Sequence, residues 1–304
     1  MTIYIDGEQI VKNNRQDTKE HNEEILYINK TENREQILNE FDLNFMSKIK
    51  YENLCFESHK NFAYFYFLIP NEDLTTLASE RIEVFYTNKK TMLLFYEDTS
   101  PIVDTIIETL LSKNEEINTL KDTLLYMLNL LNTQYVVRIN EIDDKITNLE
   151  DTLVNEQKID YISEISTLRK QLLTLRRYYE GMLTLMEDLE ENRNGIFSED
   201  ALRLFHFQTQ RAEHLYHNVL NLRDYLTQVR EAYQALLDIE ANKVMKLFTV
   251  ITATLLPLNL LVGWYGMNLY MPEVASHFTY PIIIFISITI VVSLSTYFKR
   301  NRWF

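Results

Sequence analysis

The sequence predicts an α+β cytoplasmic domain, a long helical hairpin, a very long stalk helix and two C-terminal transmembrane helices. Three observations predict it. Up to about Glu97, β-branched and aromatic runs surround a single helical stretch. After about Asn118, apolar residues recur at the 3,4 spacing of helices. Between Leu247 and Phe298 there is no Lys, Arg or Asp, and Glu273 is the one acid.

In chain order, strands are expected at Thr2 to Ile5, Glu24 to Ile28, Asn61 to Ile69, Arg81 to Tyr86 and Met92 to Tyr96, with a helix over about Glu32 to Ile49. Asn88-Lys89-Lys90 reads as the turn between the last two strands, and Pro101 suits the first turn of a following helix. This domain takes residues 1–118. In residues 119–197, Ile139, Ile142, Ile146, Leu149 and Leu153 form one seam, and Ile165, Leu168, Leu172, Leu175, Tyr179, Met182, Met186 and Leu189 form another. The pattern breaks over Asn155 to Asp160, which predicts two long helices folded back on each other. Their acids, among them Glu141, Asp144, Glu187, Asp188, Glu190 and Glu191, read either as a solvated face or as a surface that concentrates divalent cations.

Asn192-Arg193-Asn194-Gly195 ends the hairpin, and Ser198 caps a new helix. No convincing breaker follows before Pro257. The stalk, residues 198–246, therefore runs on into the first span; from Ser198 to Tyr265 that is about 100 Å at roughly 1.5 Å per residue. Residues 247–304 hold the transmembrane hairpin. Its spans, Leu247 to Tyr265 and Pro281 to Phe298, match a hydrocarbon core of about 30 Å. Lys243 and Lys246 flank the first, Lys299, Arg300 and Arg302 the second, and the connector 266–280 carries no Lys or Arg. Positive-inside asymmetry puts both termini in the cytoplasm, with the basic tail against anionic headgroups of the inner leaflet of the cell membrane.

A formal net charge of −14 argues against nucleic acid as a partner and favours cations. The single cysteine, Cys55, allows no disulfide within the chain, and Met1 to Ile10 is too short of apolar residues for a secretory leader. With five glycines there is no phosphate-cradling motif, and no Ser/His/Asp grouping or H-E-x-x-H spacing supports an enzyme. His214 and His217, at i,i+3, read as surface imidazoles rather than metal ligands.

The first span carries a stripe. From Asn242, Met245, Thr249, Thr252, Leu256, Asn259, Gly263 and Gly266 share one gently drifting face, polar or small at most positions. Unpartnered amides and hydroxyls in hydrocarbon are expensive, so the face meets protein or water. Two readings fit: a seam for close helix packing, or, since two spans enclose no water path, a ring of identical chains with this face inward. Down the stalk the spacing reaches Asp238, Glu231 and Asp224, either acid girdles below such a ring or a solvent face.

At Tyr265-Gly266-Met267-Asn268, Met271-Pro272-Glu273 and Tyr280-Pro281, followed by the basic tail, the sequence resembles the CorA-type magnesium/cobalt transporter family. The resemblance is strongest from Asn242 to Phe304. It implies a funnel-shaped homopentamer whose stalk and first span line a central pore. By position, Gly266, Met267 and Asn268 form the selectivity filter, with Asn268 the selecting residue. Asn259 becomes a polar ring, Met245 and Leu256 hydrophobic constrictions, and Asn242 and Glu231 the inner entrance. Met271, Pro272 and Glu273 belong to the outer loop, where two residues, Leu269 and Tyr270, separate Asn268 from Met271 although many members have three. The function implied is Mg2+ uptake driven by membrane potential, with Mg2+ as transported and regulatory ion, no other cofactor, and no regulatory site that a local motif places. A Zn2+, Co2+ or Ni2+ carrier of the same family and a non-transporting coiled-coil scaffold are the rivals.

Overall fold

The computed structural model describes residues 2–6, 9–13, 24–41, 43, 56–71, 73–76, 79–88, 90–96, 101–111, 119–154, 161–267, 278–301 and 303. The chain divides into two compact units, Met1–Val229 and Arg230–Phe304.

The first unit is built on a seven-stranded sheet of order β2-β1-β3-β7-β6-β5-β4, with β1 Thr2–Asp6, β2 Gln9–Asn13, β3 Glu24–Lys30, β4 Phe56–Ser58, β5 Phe62–Pro70, β6 Ser79–Thr87 and β7 Thr91–Tyr96. Only β3 and β7 run parallel, Ile25 opposite Thr91; all other pairs are antiparallel. β5 reads FAYFYFLIP and is buried at every position except Leu68, as a strand covered on both faces must be. On one face Phe62, Tyr64, Tyr66, Phe85, Leu93 and Phe95 pack with Leu38 of helix α1, Arg34–Glu40. On the other, Tyr86 meets Phe197, ring centroids 5.0 Å apart, and Phe197 meets Phe205 at 5.0 Å.

Two expectations needed correction. The helix expected over Glu32 to Ile49 is, among the described residues, only α1 after a single 3-10 turn. Its end is set by Leu43, whose amide bonds back to the Leu38 carbonyl and whose side chain joins the core, turning the chain inward. Residues 44–49 lie outside the described residues, as do Cys55 and the break at 155–160. After α2, Pro101–Leu111, three helices stand where a hairpin of two was expected: α3 Leu120–Thr133, α4 Val136–Val154 and α5 Tyr161–Glu191. The corner at Gln134 and Tyr135 is held by polar contacts no periodicity reveals. Tyr135 Oη donates to the Pro70 carbonyl at 2.5 Å, and Gln134 Nε2 donates to Tyr178 Oη at 2.9 Å.

All thirteen seam residues named in residues 139–189 are buried. Thr119 caps α3, its hydroxyl accepting from the Asp122 amide. The turn after α5 uses Asn192 at φ 44° and Gly195 at φ 65°, and the Asn192 side chain both accepts from and donates to the Phe197 backbone. Ser198 Oγ accepts from the Ala201 amide at the head of α6, Glu199–Tyr265, 67 residues long. Its buried row Ala201, Phe205, Gln208, Ala212, Leu215, Val219, Leu222, Leu226 and Val229 belongs to the first unit.

The second unit contains the rest of α6 and α7, Thr279–Arg300. Pro257 sits inside α6 and removes the amide that would bond the Ala253 carbonyl one turn back.

Candidate functional site

Both helices of the second unit are long and apolar enough to cross a membrane, and almost nothing in them is buried. In the span 247–265 of α6 the half-buried residues are Val250, Ala253, Thr254, Pro257, Leu258 and Leu261; on α7 they are Thr279, Ile283, Ser287, Ile290, Val291 and Leu294, with Phe298 buried. Each set follows one helix face, and in a unit whose described elements are two helices this marks the sides by which they lie together. Thr254 there donates to the Val250 carbonyl at 2.7 Å, so its hydroxyl adds no unsatisfied donor to the seam.

The polar stripe lies elsewhere. Met245, Thr249, Thr252, Leu256, Asn259 and Gly263 are all exposed, Met245 at 66% and Leu256 at 61%. At about 100° per residue their mean direction is about 150° round the helix from the half-buried row. The stripe is therefore not the packing seam within one chain, which narrows the two sequence readings to a contact with something beyond it or with water. Met245, Thr249 and Thr252, with Phe248 and Ala253, line a shallow open groove. Thr249 donates its proton to the Met245 carbonyl at 2.8 Å, which leaves its lone pairs outward as acceptors. Around Gly263 an added Cβ would meet nothing within 4 Å, so no packing inside the chain demands glycine.

At the end of α6 the case differs. A Cβ on Gly266 would come 2.8 Å from the Val262 carbonyl oxygen, to which the Gly266 amide also bonds at 2.8 Å, so this helix end fits glycine alone. Met267 follows, exposed. Asn268, Met271, Pro272, Glu273 and Arg302 lie outside the described residues. Glu231 and Asn242 are exposed on α6. Lys299 and Arg300 occupy the last turn of α7, where positive charge opposes the helix dipole. Beyond them the Trp303 amide bonds the Phe298 carbonyl at 3.1 Å and its ring lies 5.3 Å from that of Phe298, while Trp264 is exposed near the other edge.

Among the described residues no group of three His, Cys, Asp or Glu side chains could hold a metal ion. His217 lies 3.8 Å from Glu213, and His214 lies 3.5 Å from the Asn218 carboxamide. The acids of α5 divide. Glu191 pairs with Arg193 at 2.7 Å, a hydrogen bond that holds its carboxyl below the usual range, whereas partial burial raises that of Asp188. Glu190 is no simple solvating acid: it accepts from the Thr209 hydroxyl and lies 3.1 Å from His206, tying α5 to α6. Its spacing from Thr209, 19 residues across a turn, gave no signal in the sequence.

A soluble α+β unit followed by two exposed apolar helices, one with a polar face turned away from its partner, defines a two-span membrane protein. The family described as CorA-like Mg2+ transporter protein matches residues 25–300, and the chain belongs to it. The cobalt/magnesium transport protein CorA of Thermotoga maritima is 26% identical over 256 residues, 83% of this chain and 71% of that protein. The zinc transport protein ZntB of Yersinia pestis is 25% identical over 166 residues, 54% of this chain and 50% of that protein. The solved CorA magnesium transporter from Methanocaldococcus jannaschii superposes with a TM-score of 0.80 over 100% of this chain and 99% of that one, at 17% identity, which establishes the shared fold.

Proposed function

We propose that this protein conducts Mg2+ into the cell as a homopentamer, with the α6 stripe lining a central pore. The observation that carries the reading is the placement of Thr249, Thr252 and Asn259 on an exposed face of a membrane helix, away from the side it offers to α7. Polar groups so placed need protein or water, and five copies facing inward supply a water-filled path that two spans cannot. The names of its relatives, which include magnesium, cobalt and zinc transport proteins, support a divalent cation as cargo.

Mg2+ gives up its waters reluctantly, so a fast pore grips the hydrated ion through oxygen acceptors. Gly266, Met267 and Asn268 at the outer mouth select it, with the Asn268 carboxamide accepting from the ion's waters. Asn259, Thr252 and Thr249 receive it further in, Gly263 leaves room beside the path, and Met245 and Leu256 close it by dewetting. Asn242 and Glu231 line the inner entrance. Met271, Pro272 and Glu273 shape the outer loop, and Lys299, Arg300 and Arg302 hold the inner leaflet. A membrane potential contributes about 2.3 kcal/mol per charge per 100 mV, about 4.6 for a divalent ion, so no nucleotide is needed.

Flux into liposomes under an imposed potential, with Mg2+, Co2+, Ni2+ and Zn2+ in competition, tests this. Mg2+ entry that rises with inside-negative potential is expected. Zn2+ preference with little Mg2+ entry would assign the chain to the zinc-carrying branch of its relatives, and no cation flux from a correctly assembled protein would leave a scaffold.

A further inference from the structure

In the first unit a cavity of about 250 Å³ opens between α5 and the β5–β6 strand pair. Its walls are mainly apolar, including Phe67, Leu68, Pro70, Met182 and Leu185. An apolar cavity of about 150 Å³ takes a benzene ring, and pockets for drug-sized molecules start near roughly 300 Å³, so this one suits a ring or a short chain with a head group.

Two polar residues of α5 line it, buried Thr174 and exposed Arg177, and neither has a hydrogen-bond or ion-pair partner among the described residues. Thr174 is 5% exposed, and its hydroxyl makes no hydrogen bond among the described residues. Two other threonines of the same helix, Thr167 and Thr184, donate to carbonyls one turn back at 3.0 and 3.1 Å. Thr174 lines the cavity instead. Arg177, one turn on, also lines it and forms no ion pair or hydrogen bond among the described residues, although the chain carries a net charge of −14. Gly181 completes the helix face, and a Cβ there would meet nothing within 4 Å.

We infer that this cavity between α5 and β5 binds a small amphipathic monocarboxylate, its chain or ring against Phe67, Leu68 and Met182 and its carboxylate between the Arg177 guanidinium and the Thr174 hydroxyl. A neutral alcohol of the same size would fill the apolar part but lose the charge-assisted pairing. A cation would meet Arg177.

The test is calorimetric titration of the full-length protein in nanodiscs, with empty nanodiscs subtracted, using octanoate for a lipid-derived chain, benzoate for a water-borne ring, and octanol as the headless control. Saturable binding of at least one carboxylate is expected, with octanol much weaker. Arg177→Gln should weaken that carboxylate by roughly ten- to a hundredfold, the worth of a hydrogen bond to a charged group, and leave octanol unchanged. Gly181→Phe places a ring in the open space, relieves the helix of a glycine and should abolish binding with the melting temperature kept or raised. Absence of saturable binding by either acid, octanol binding as tightly as octanoate, or undiminished affinity in Gly181→Phe would each overturn the assignment. Binding is read without ion flux, so it stands or falls independently of conduction.

Discussion

Asn132 on α3 and Gln208 on α6 face each other inside the first unit, the Asn132 carboxamide nitrogen 3.0 Å from Gln208 Oε1 and 3.2 Å from the Gln208 carbonyl oxygen. Both are buried, and Tyr179 of α5 donates to the Asn132 backbone carbonyl at 3.1 Å, so three helices meet at one residue. Asn132→Ala strands the Gln208 side chain in an apolar interior and should cost about 1–3 kcal/mol. Replacing both residues by leucine should recover much of that, because no polar group is then left unmatched. Thermal melts of the soluble unit's signal by far-UV circular dichroism check both variants.

Glu190 and Glu187 stand on the same helix with different surroundings. Glu190→Ala removes the acceptor for Thr209 and the partner of His206, and should lower stability by about 1 kcal/mol. Glu187→Ala, at an exposed position, should stay within about 0.5 kcal/mol of the parent. Equal melting temperatures for the two variants would show that Glu190 does not bind α5 to α6.

The turn before β6 titrates. Asp73 accepts from the Thr75 hydroxyl at 2.7 Å and the Thr75 amide at 3.0 Å, and these bonds hold its carboxyl below its ordinary value of 3.8. A depressed folded value means that the stabilisation is whole above pH 3.8 and is lost as pH falls through the folded value. Asp73→Asn should therefore flatten this part of the acid limb and change nothing at neutral pH beyond the bonds themselves, as melting temperatures taken across the acid range would record.

If the pore is built as proposed, Asn268→Ala removes an acceptor from every subunit at its outer mouth. The protein should assemble at normal yield, lose Mg2+ uptake by at least tenfold and become insensitive to cobalt hexammine, a mimic of the hydrated ion. Wild-type uptake with unchanged sensitivity would displace the filter from this residue.

Leu256, like Met245, is an apolar member of the exposed stripe, with Thr252 and Asn259 one turn to either side. Leu256→Asn should let water persist at that level and raise ion leak several-fold. Unchanged flux at normal expression would move the constriction to Met245.

How much of this was legible in the sequence depended on the physics involved. Periodicity exposed the helical seams because each of the thirteen seam residues between Ile139 and Leu189 contributes through its own position on a face, and all thirteen are buried. Strands β1, β3, β5, β6 and β7 were legible as β-branched and aromatic runs. The three-residue β4 was too short to show a pattern, and β2, as long as β1, carries Gln9, Lys12 and Asn13 among its five residues. The corner at Tyr135 escaped because its fixing contact is with Pro70, 65 residues away. For the same reason Glu190 looked like solvent surface. On the membrane helix the stripe was visible, but not which side α7 would cover, since Val250 and Leu261 look no different from other apolar residues until two helices are placed together.

The chain has two tryptophans, and both lie in the second unit: Trp264 exposed in the final turn of the first span, Trp303 packed on Phe298 just past the second. The spans run in opposite senses, so the two indoles belong to opposite leaflets. Fluorescence excited at the red edge thus reports only on the bilayer's two rims and is dark to the entire sheet and helical hairpin. With one indole changed to phenylalanine, lipid-borne quenchers at graded depths would read the height of a single rim, giving the protein a native optical gauge of its seating in bilayers of different thickness.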